Sequence, residues 1–209
     1  GPKIRVVAEG VTGVPALHAV ALEPSFFSRL ELSNVPEPWT TAVREALARR
    51  AAGHPSVIFW ADSRKRIREF RNLIIKPNQF EAVGHENPLP GEEIELNRLM
   101  AELPQLRKHI GAPVCVTRSV YGMLVSDPEV TAVPGVTLEG PVDPTGAGDS
   151  VTAGAVLALA SGATLPEAAL VGILVASITV QQLATTGTAS PEQVVDRLGL
   201  WRRQNPDHS

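Results

Sequence analysis

Two short apolar runs, Val57-Ile58-Phe59-Trp60-Ala61 and Leu73-Ile74-Ile75, contain no polar residue. Unbroken runs of this length are the pattern of strands covered on both faces, and such strands belong to parallel sheets flanked by helices. Helical segments surround them. In Thr41–Ala52 the residues Val43, Ala46, Leu47 and Arg50 follow helical spacing, and Gly53-His54-Pro55 stops the helix. Ile67 and Phe70, in a basic stretch, predict a short surface helix. A longer helix is expected over Glu92–His109, kinked or interrupted at Pro104. The strand Val114-Cys115-Val116-Thr117 follows Gly111 and Pro113. This alternation predicts a layered α/β fold.

Further strands are expected at Tyr121–Ser126 and Val133–Leu138, with short turns that suit antiparallel pairing. Two helix starts are written in capping chemistry, Thr164-Leu165-Pro166-Glu167 and Ser190-Pro191-Glu192-Gln193. Each sets a hydroxyl three residues before an acid or amide, with Pro in the first turn, where its missing N–H is not needed. Ala168–Val180 is the most membrane-like stretch. It is too short to span a bilayer and is expected to be a buried core helix.

The chain has 209 residues, 44% hydrophobic and 20% charged, which suits one folded domain with a sizeable core. A formal net charge of -3 with scattered basic residues carries no footprint for nucleic acid or an anionic membrane. Cys115 is the single cysteine, so no internal disulfide can form, and a reducing, cytoplasmic setting is expected. Gly1-Pro2-Lys3 shows neither an initiator Met nor a signal-peptide pattern and reads as a scar or a truncated start. Residues 1–40 have no clear period and remain unassigned. Residues 41–209 are read as one α/β domain.

Asp143-Pro144-Thr145-Gly146-Ala147-Gly148-Asp149 runs into the apolar stretch Val151–Ala160, so a loop enters a helix here. Helix N-termini collect amide protons without acceptors and partial positive charge, and glycines let an anion approach the backbone. Asp149 falls in the first turn, where the dipole favours its ionised form, placing a carboxylate base beside an anion site. Phosphoryl transfer needs that pairing. For a bare Gly-x-Gly, a tight turn with an acidic first-turn residue is an even alternative, which the longer motif weakens. No Gly-Lys-Ser/Thr is present, Val151 stands where a dinucleotide fingerprint needs Gly, and Gly148-x-Ser150-x-Thr152 is not a serine-hydrolase elbow.

Asp-x-Thr-Gly-Ala-Gly-Asp followed by Ala153-Gly154 resembles the C-terminal signature of the ribokinase (PfkB) carbohydrate kinases. The resemblance implies a ribokinase-like layered α/β/α fold with a mostly parallel central sheet. It makes Asp149 the catalytic base and the amides of Gly146, Ala147 and Gly148 the anion hole. Asp143 and Thr145 would serve a monovalent cation such as K+. Pro144 departs from the usual residue between them, removing one donor and fixing one torsion.

Lys76-Pro77-Asn78-Gln79-Phe80-Glu81 follows the second apolar run, at a strand's C-terminal end, where open α/β sheets bind ligands. Taken alone, Asn78 and Glu81 read as a helix cap. The same spelling resembles the family's Asn-x-x-Glu motif, which organises Mg2+ and phosphate through water. Lys76 is either a contact to nucleotide phosphate or a solvated lysine. Val116-Thr117-Arg118 with Gly122 resembles the family's strand and turn near the nucleotide, although Arg118-Ser119-Val120-Tyr121 departs from the small or Gly-containing turn often seen there, and Thr117 is a candidate for the nucleotide side. Ser177, Gln181 and Gly187 resemble the segment that covers adenine, and they read equally well as a buried helix followed by a capped turn.

The resemblance covers Val57–Leu198; it makes residues 41–209 a nucleotide-binding and catalytic α/β domain and leaves Ile4–Ala8 as either a lid remnant or an ordinary edge strand. Whole enzymes of the family also carry a Gly-Gly motif, sugar-contacting polar residues and a β lid, and none is found before Ala52; Gly10-Val11-Thr12-Gly13 does not replace them. The expected function is ATP- and Mg2+-dependent phosphoryl transfer to a hydroxyl of a sugar or sugar phosphate. Val180-Gln181-Gln182-Leu183 through Ser190-Pro191-Glu192 is similar to kinases of heptose phosphates. The alternative is a truncated, non-catalytic nucleotide-binding module. A small-molecule partner is expected, with no nucleic acid or membrane, and a homodimer is compatible with the family.

Overall fold

A computed structural model describes residues 4–7, 18–21, 37–63, 66–185 and 187–208. The chain divides into two compact units, Gly1–Val57 and Ile58–Ser209. In the first, β1 (Ile4–Val7) pairs antiparallel with β2 (His18–Ala21), Ile4 opposite Ala21. The stretch Ala8–Thr40 thus supplies β2 and the start of α1 (Glu37–Gly53); Gly10–Gly13 lies outside the described residues. Helix α1 ends at the Gly-His-Pro stop, where His54 Nδ1 lies 2.8 Å from the Arg50 carbonyl, a C-terminal cap.

The second unit is built on a five-stranded sheet. Its strands are β3 (Trp60–Ala61), β4 (Ile74–Ile75), β5 (Val114–Thr117), β6 (Met123–Ser126) and β7 (Val130–Val133), ordered β3-β4-β5-β6-β7. The first two pairings are parallel and the last two antiparallel. The layered α/β architecture is therefore borne out, with the parallel character confined to β3–β5. The first apolar run is trimmed: Val57 and Ile58 are exposed, and only Trp60–Ala61 joins the ladder. Ser119–Tyr121 forms a 3-10 turn before β6.

Val133–Leu138 is not a strand, since β7 ends where it was expected to begin. Pro134 has no N–H for the ladder. Side chains of a later helix engage this segment instead. Trp201 Nε1 donates to the Pro134 carbonyl at 2.8 Å, and Gln204 pairs with both backbone groups of Thr137 at 3.0 Å.

The helices of this unit are α2 (Gln79–Ala82), α3 (Leu96–Ile110), α4 (Ala147–Ala160), α5 (Leu165–Thr179) and α6 (Pro191–Gln204). Helix α3 starts later than Glu92, whose carboxylate accepts the Leu89 amide at 2.8 Å in the preceding loop. It passes Pro104 without interruption. Pro104 and Met100, whose carbonyl loses its helical donor, both lie on the exposed side, away from the face that α3 buries. The basic stretch carries a 3-10 turn, Ile67–Glu69, with Ile67 buried. Both capping boxes, at Thr164 and Ser190, are formed.

Side chains alternate across the sheet. Cys115, Met123, Val125 and Val133 join Leu165, Ala169, Ile173, Leu174 and Trp201 in one core, under α4–α6. Val114, Val116 and Leu124 point to the other face, where α3 packs against β5–β7 and buries Leu99, Leu103, Leu106 and Ile110. Each such side chain contributes about 1.5–3 kcal/mol by leaving water. Helix α5, spanning most of Ala168–Val180, is the expected buried core helix, and no described helix is long and apolar enough to cross a membrane. Helices α4 and α5 pack closely through Gly154 and Gly172: a Cβ at Gly172 would lie 2.7 Å from the Val151 carbonyl oxygen.

Candidate active site

The carboxyl ends of β3, β4 and β5 converge with the start of α4. Beyond β4 the chain stays stitched to both neighbours: the Lys76 amide donates to Ala61 O at 3.0 Å, and the Thr117 amide to Pro77 O at 3.0 Å. Asn78 bridges to Thr117. The segment Lys76-Pro77-Asn78 is thus held at the sheet's C-terminal edge, where open α/β sheets place ligands.

Lys76 is buried, which excludes the solvated alternative. Its Nζ lies 2.7 Å from Asp62 Oδ2, with the lysine side chain 6% and the aspartate 40% exposed. A Cβ at Gly148 would come within 3.3 Å of that Nζ and 3.9 Å of Asp62 Oδ2. The missing side chain of Gly148 therefore lets the first turn of α4 sit against a buried ammonium, with Asp149 as the next residue. Sequence reasoning missed Asp62. It directly follows the first apolar run, so the strand-end rule that singled out Lys76 applies to it too.

Gly146 caps α4 in the left-handed region, φ 76°. The loop before it is pinned at both ends. The Asp143 amide donates to Val180 O at 2.7 Å, and Asp143 Oδ1 accepts the Thr145 amide at 2.9 Å. The Thr145 hydroxyl, then its amide and that of Ala184, hold the Asp143 carboxyl below the usual range. The Ala147 amide donates to Pro144 O at 3.1 Å, so one of the three expected anion-hole donors is engaged within the loop. Asp149 is exposed in the first turn of α4.

Asn78 and Glu81 form a full capping box on α2. Asn78 Oδ1 accepts the Phe80 and Glu81 amides, each at 2.9 Å, and Glu81 Oε2 accepts the Asn78 amide at 2.7 Å. The capping reading is therefore realised. It leaves the motif's oxygens fixed at the site's edge, which suits a hydrated dication held through water. Among the described residues, no group of three or more His, Cys, Asp or Glu could hold a metal directly. The ionised Asp143 has the charge for a cation. The buried Lys76 beside glycine backbone suits a phosphate.

Ser177, Gln181 and Gly187 gather at the end of α5. Arg197 Nη1 donates to the Ser177 carbonyl at 3.0 Å and to its hydroxyl at 3.3 Å, and Nη2 to Gln181 Oε1 at 2.7 Å. Gln181 Nε2 donates to Glu139 O at 3.2 Å. Gly187 packs on Thr179, where a Cβ would meet backbone at 2.8 Å. Arg197 was not singled out in the sequence, where it is one of several basic residues on the last helix. After Thr117, Arg118 lies 5.1 Å from the Tyr121 ring centroid, and Ser119 takes the left-handed conformation, φ 52°, a region that favours glycine.

The family model for the pfkB family carbohydrate kinases matches residues 25–193. Among curated proteins, inositol 3-kinase of Arabidopsis thaliana is 43% identical over 72 residues, 34% of this chain and 20% of that protein. Bifunctional protein HldE of Stutzerimonas stutzeri is 38% identical over 124 residues, 57% of this chain and 25% of that protein. The chain thus spans a quarter or less of these relatives. Among solved structures, ribokinase from Cryptococcus neoformans in complex with ADP shares the fold, with TM-score 0.63, 22% identity, and 88% of this chain and 67% of that one covered. Phosphofructokinase-2 from Escherichia coli, in complex with substrates and products, has TM-score 0.63 and 22% identity, with 80% and 53% covered.

Proposed function

The chain belongs to the pfkB family of carbohydrate kinases, and on that premise we propose that it moves the γ-phosphate of ATP to a hydroxyl of a sugar or sugar phosphate. The observation that carries this reading is the contact between the buried Lys76 ammonium and the side-chain-free Gly148, one residue before Asp149. Lys76 and the amides of Gly146 and Gly148 bind the phosphate oxygens and stabilise charge on the transferring group, while the Ala147 amide is engaged with the Pro144 carbonyl. Asp149, exposed in the first turn of α4, accepts the proton of the acceptor hydroxyl. Asn78 and Glu81 hold the hydration shell of Mg2+, whose charge, when bound, offsets that of the phosphates. Asp143 and Thr145 are the side for a monovalent cation, and Ser177, Gln181, Gly187 and Thr117 line the side for the nucleotide base.

Heptose phosphates are the first acceptors to test, beside ribose and fructose phosphate. Asp149→Asn is expected to lower transfer by about 10²–10⁴-fold while leaving Mg·ATP affinity nearly unchanged in calorimetry. Wild-type turnover in that variant would remove the base assignment. Binding of Mg·ATP by the unmodified chain with no transfer to any acceptor would favour the non-catalytic module.

A further inference from the structure

Residues 179–182, at the end of α5, touch two segments of the candidate site that are distant in sequence. Thr179 Oγ1 lies 2.8 Å from Ser150 Oγ, one residue past Asp149. Val180 O accepts the Asp143 amide at 2.7 Å. Gln182 brackets Thr188: its Nε2 donates to the Thr188 carbonyl at 2.6 Å, and its Oε1 accepts the Thr188 amide at 3.1 Å. Gly187 sits so close to Thr179 that a Cβ there would be 2.8 Å from Thr179 Cα, Cβ and O. One turn of chain therefore grips both the phosphate loop and the 187–188 segment.

The hydroxyl of Thr179 is the hinge pin of this arrangement. Thr179 is buried, and its Oγ1 has Ala176 O at 3.1 Å as well as Ser150 Oγ at 2.8 Å. A hydroxyl has one proton and two lone pairs. It either donates to Ser150, or donates to Ala176 and accepts from Ser150. In both cases a buried side chain of α5 sets the position of the first turn of α4. Losing it costs the bond and leaves a partner without its mate.

We propose that Thr179 is a positioning residue that joins the 187–188 segment to the first turn of α4, so that nucleotide held at the former stiffens the turn presenting Asp149. This rests on the kinase reading above. A threonine with only a packing role would stabilise the fold equally with and without nucleotide. A coupling threonine makes the stiffness of residues 147–152 depend on nucleotide.

The test is amide hydrogen exchange of the whole chain with and without Mg·ATP, in the unmodified protein and in Thr179→Val, Thr179→Ser and Ser150→Ala. Valine keeps the shape against Gly187 and removes the hydroxyl, serine keeps the hydroxyl, and Ser150→Ala breaks the same bond from its partly exposed side. Mg·ATP is expected to slow exchange at 147–152 by about five- to tenfold, the scale of one hydrogen bond. Thr179→Val and Ser150→Ala lose most of that slowing while calorimetry still detects ATP, and Thr179→Ser keeps it. Full nucleotide-dependent slowing in Thr179→Val or in Ser150→Ala overturns the proposal. Heat of ATP binding without slowing at 147–152 in the unmodified protein overturns it alone, whereas no heat at all removes the kinase reading with it.

Discussion

Lys76 Nζ lies 2.7 Å from Asp62 Oδ2, the ammonium buried and the carboxylate partly open to water. An ammonium taken out of water needs a compensating charge. Asp62 supplies it from the end of β3, while Gly148 leaves the flank toward α4 without a side chain. The cation is held in place and still faces the turn that leads to Asp149.

Asp62→Asn leaves Lys76 buried with a neutral partner. Because the carboxylate is 40% exposed, water makes up part of the loss, and the expected destabilisation is about 1–3 kcal/mol, below that of a fully buried pair. Lys76→Met fills the same space without charge, so it costs less stability and weakens Mg·ATP binding by about tenfold or more. Urea unfolding and calorimetry measure the two effects. Unchanged ATP affinity in Lys76→Met would remove this lysine from the phosphate site.

Gly172→Ala tests whether close helix packing positions the site. Its Cβ would meet the Val151 carbonyl at 2.7 Å, a backbone atom two residues from Asp149, so α4 has to shift. The expected loss is about 1–3 kcal/mol, accompanied by reduced transfer. Thermal melting and a kinase assay report on each; a variant with native stability would show that the helices have room to spare.

Ser119→Gly is expected to stabilise the protein. Ser119 holds φ 52°, which costs a residue with a Cβ about 1–2 kcal/mol, partly offset by the greater chain entropy of glycine. A gain of roughly 0.5–1 kcal/mol in denaturant unfolding is the predicted balance. A loss would mean that the serine makes a contact worth more than the strain.

Acid should weaken the fold through carboxylates that cap and pin loops. Hydrogen bonds from Thr164 to Glu167, from Ser190 to Glu192, from the Leu89 amide and His85 to Glu92, and from Thr145 to Asp143 hold these carboxyls below their ordinary values of 4.5 for Glu and 3.8 for Asp. Groups with depressed folded values contribute fully above the unfolded value and lose that contribution as pH falls through the folded one. Stability is therefore expected to be flat from neutral pH down to about 5 and to fall below about 4.5. Glu167→Gln should make that fall shallower in pH-dependent urea unfolding.

Much of the architecture was legible because its causes are local. Periodicity placed the helices, and the capping boxes at Thr164 and Ser190 marked two starts to the residue. Asn78 and Glu81 wrote a third box. Strand ends were less legible, since a ladder depends on its neighbour: Val57 and Ile58 are as apolar as Trp60 yet remain outside the sheet, and Pro134 ends β7 where apolar residues continue.

By itself the sequence determined the α/β layering and the glycine-rich turn into α4 with an acid in its first turn, because backbone freedom, capping and periodicity act over a few residues. Only the tertiary structure decided that Lys76 is buried against Asp62 and Gly148, that Arg197 clasps Ser177 and Gln181, and that Thr179 reaches Ser150. Those contacts join segments far apart along the chain, and they exist because the sheet brings its strand ends to one edge while α4 and α5 approach glycine to glycine.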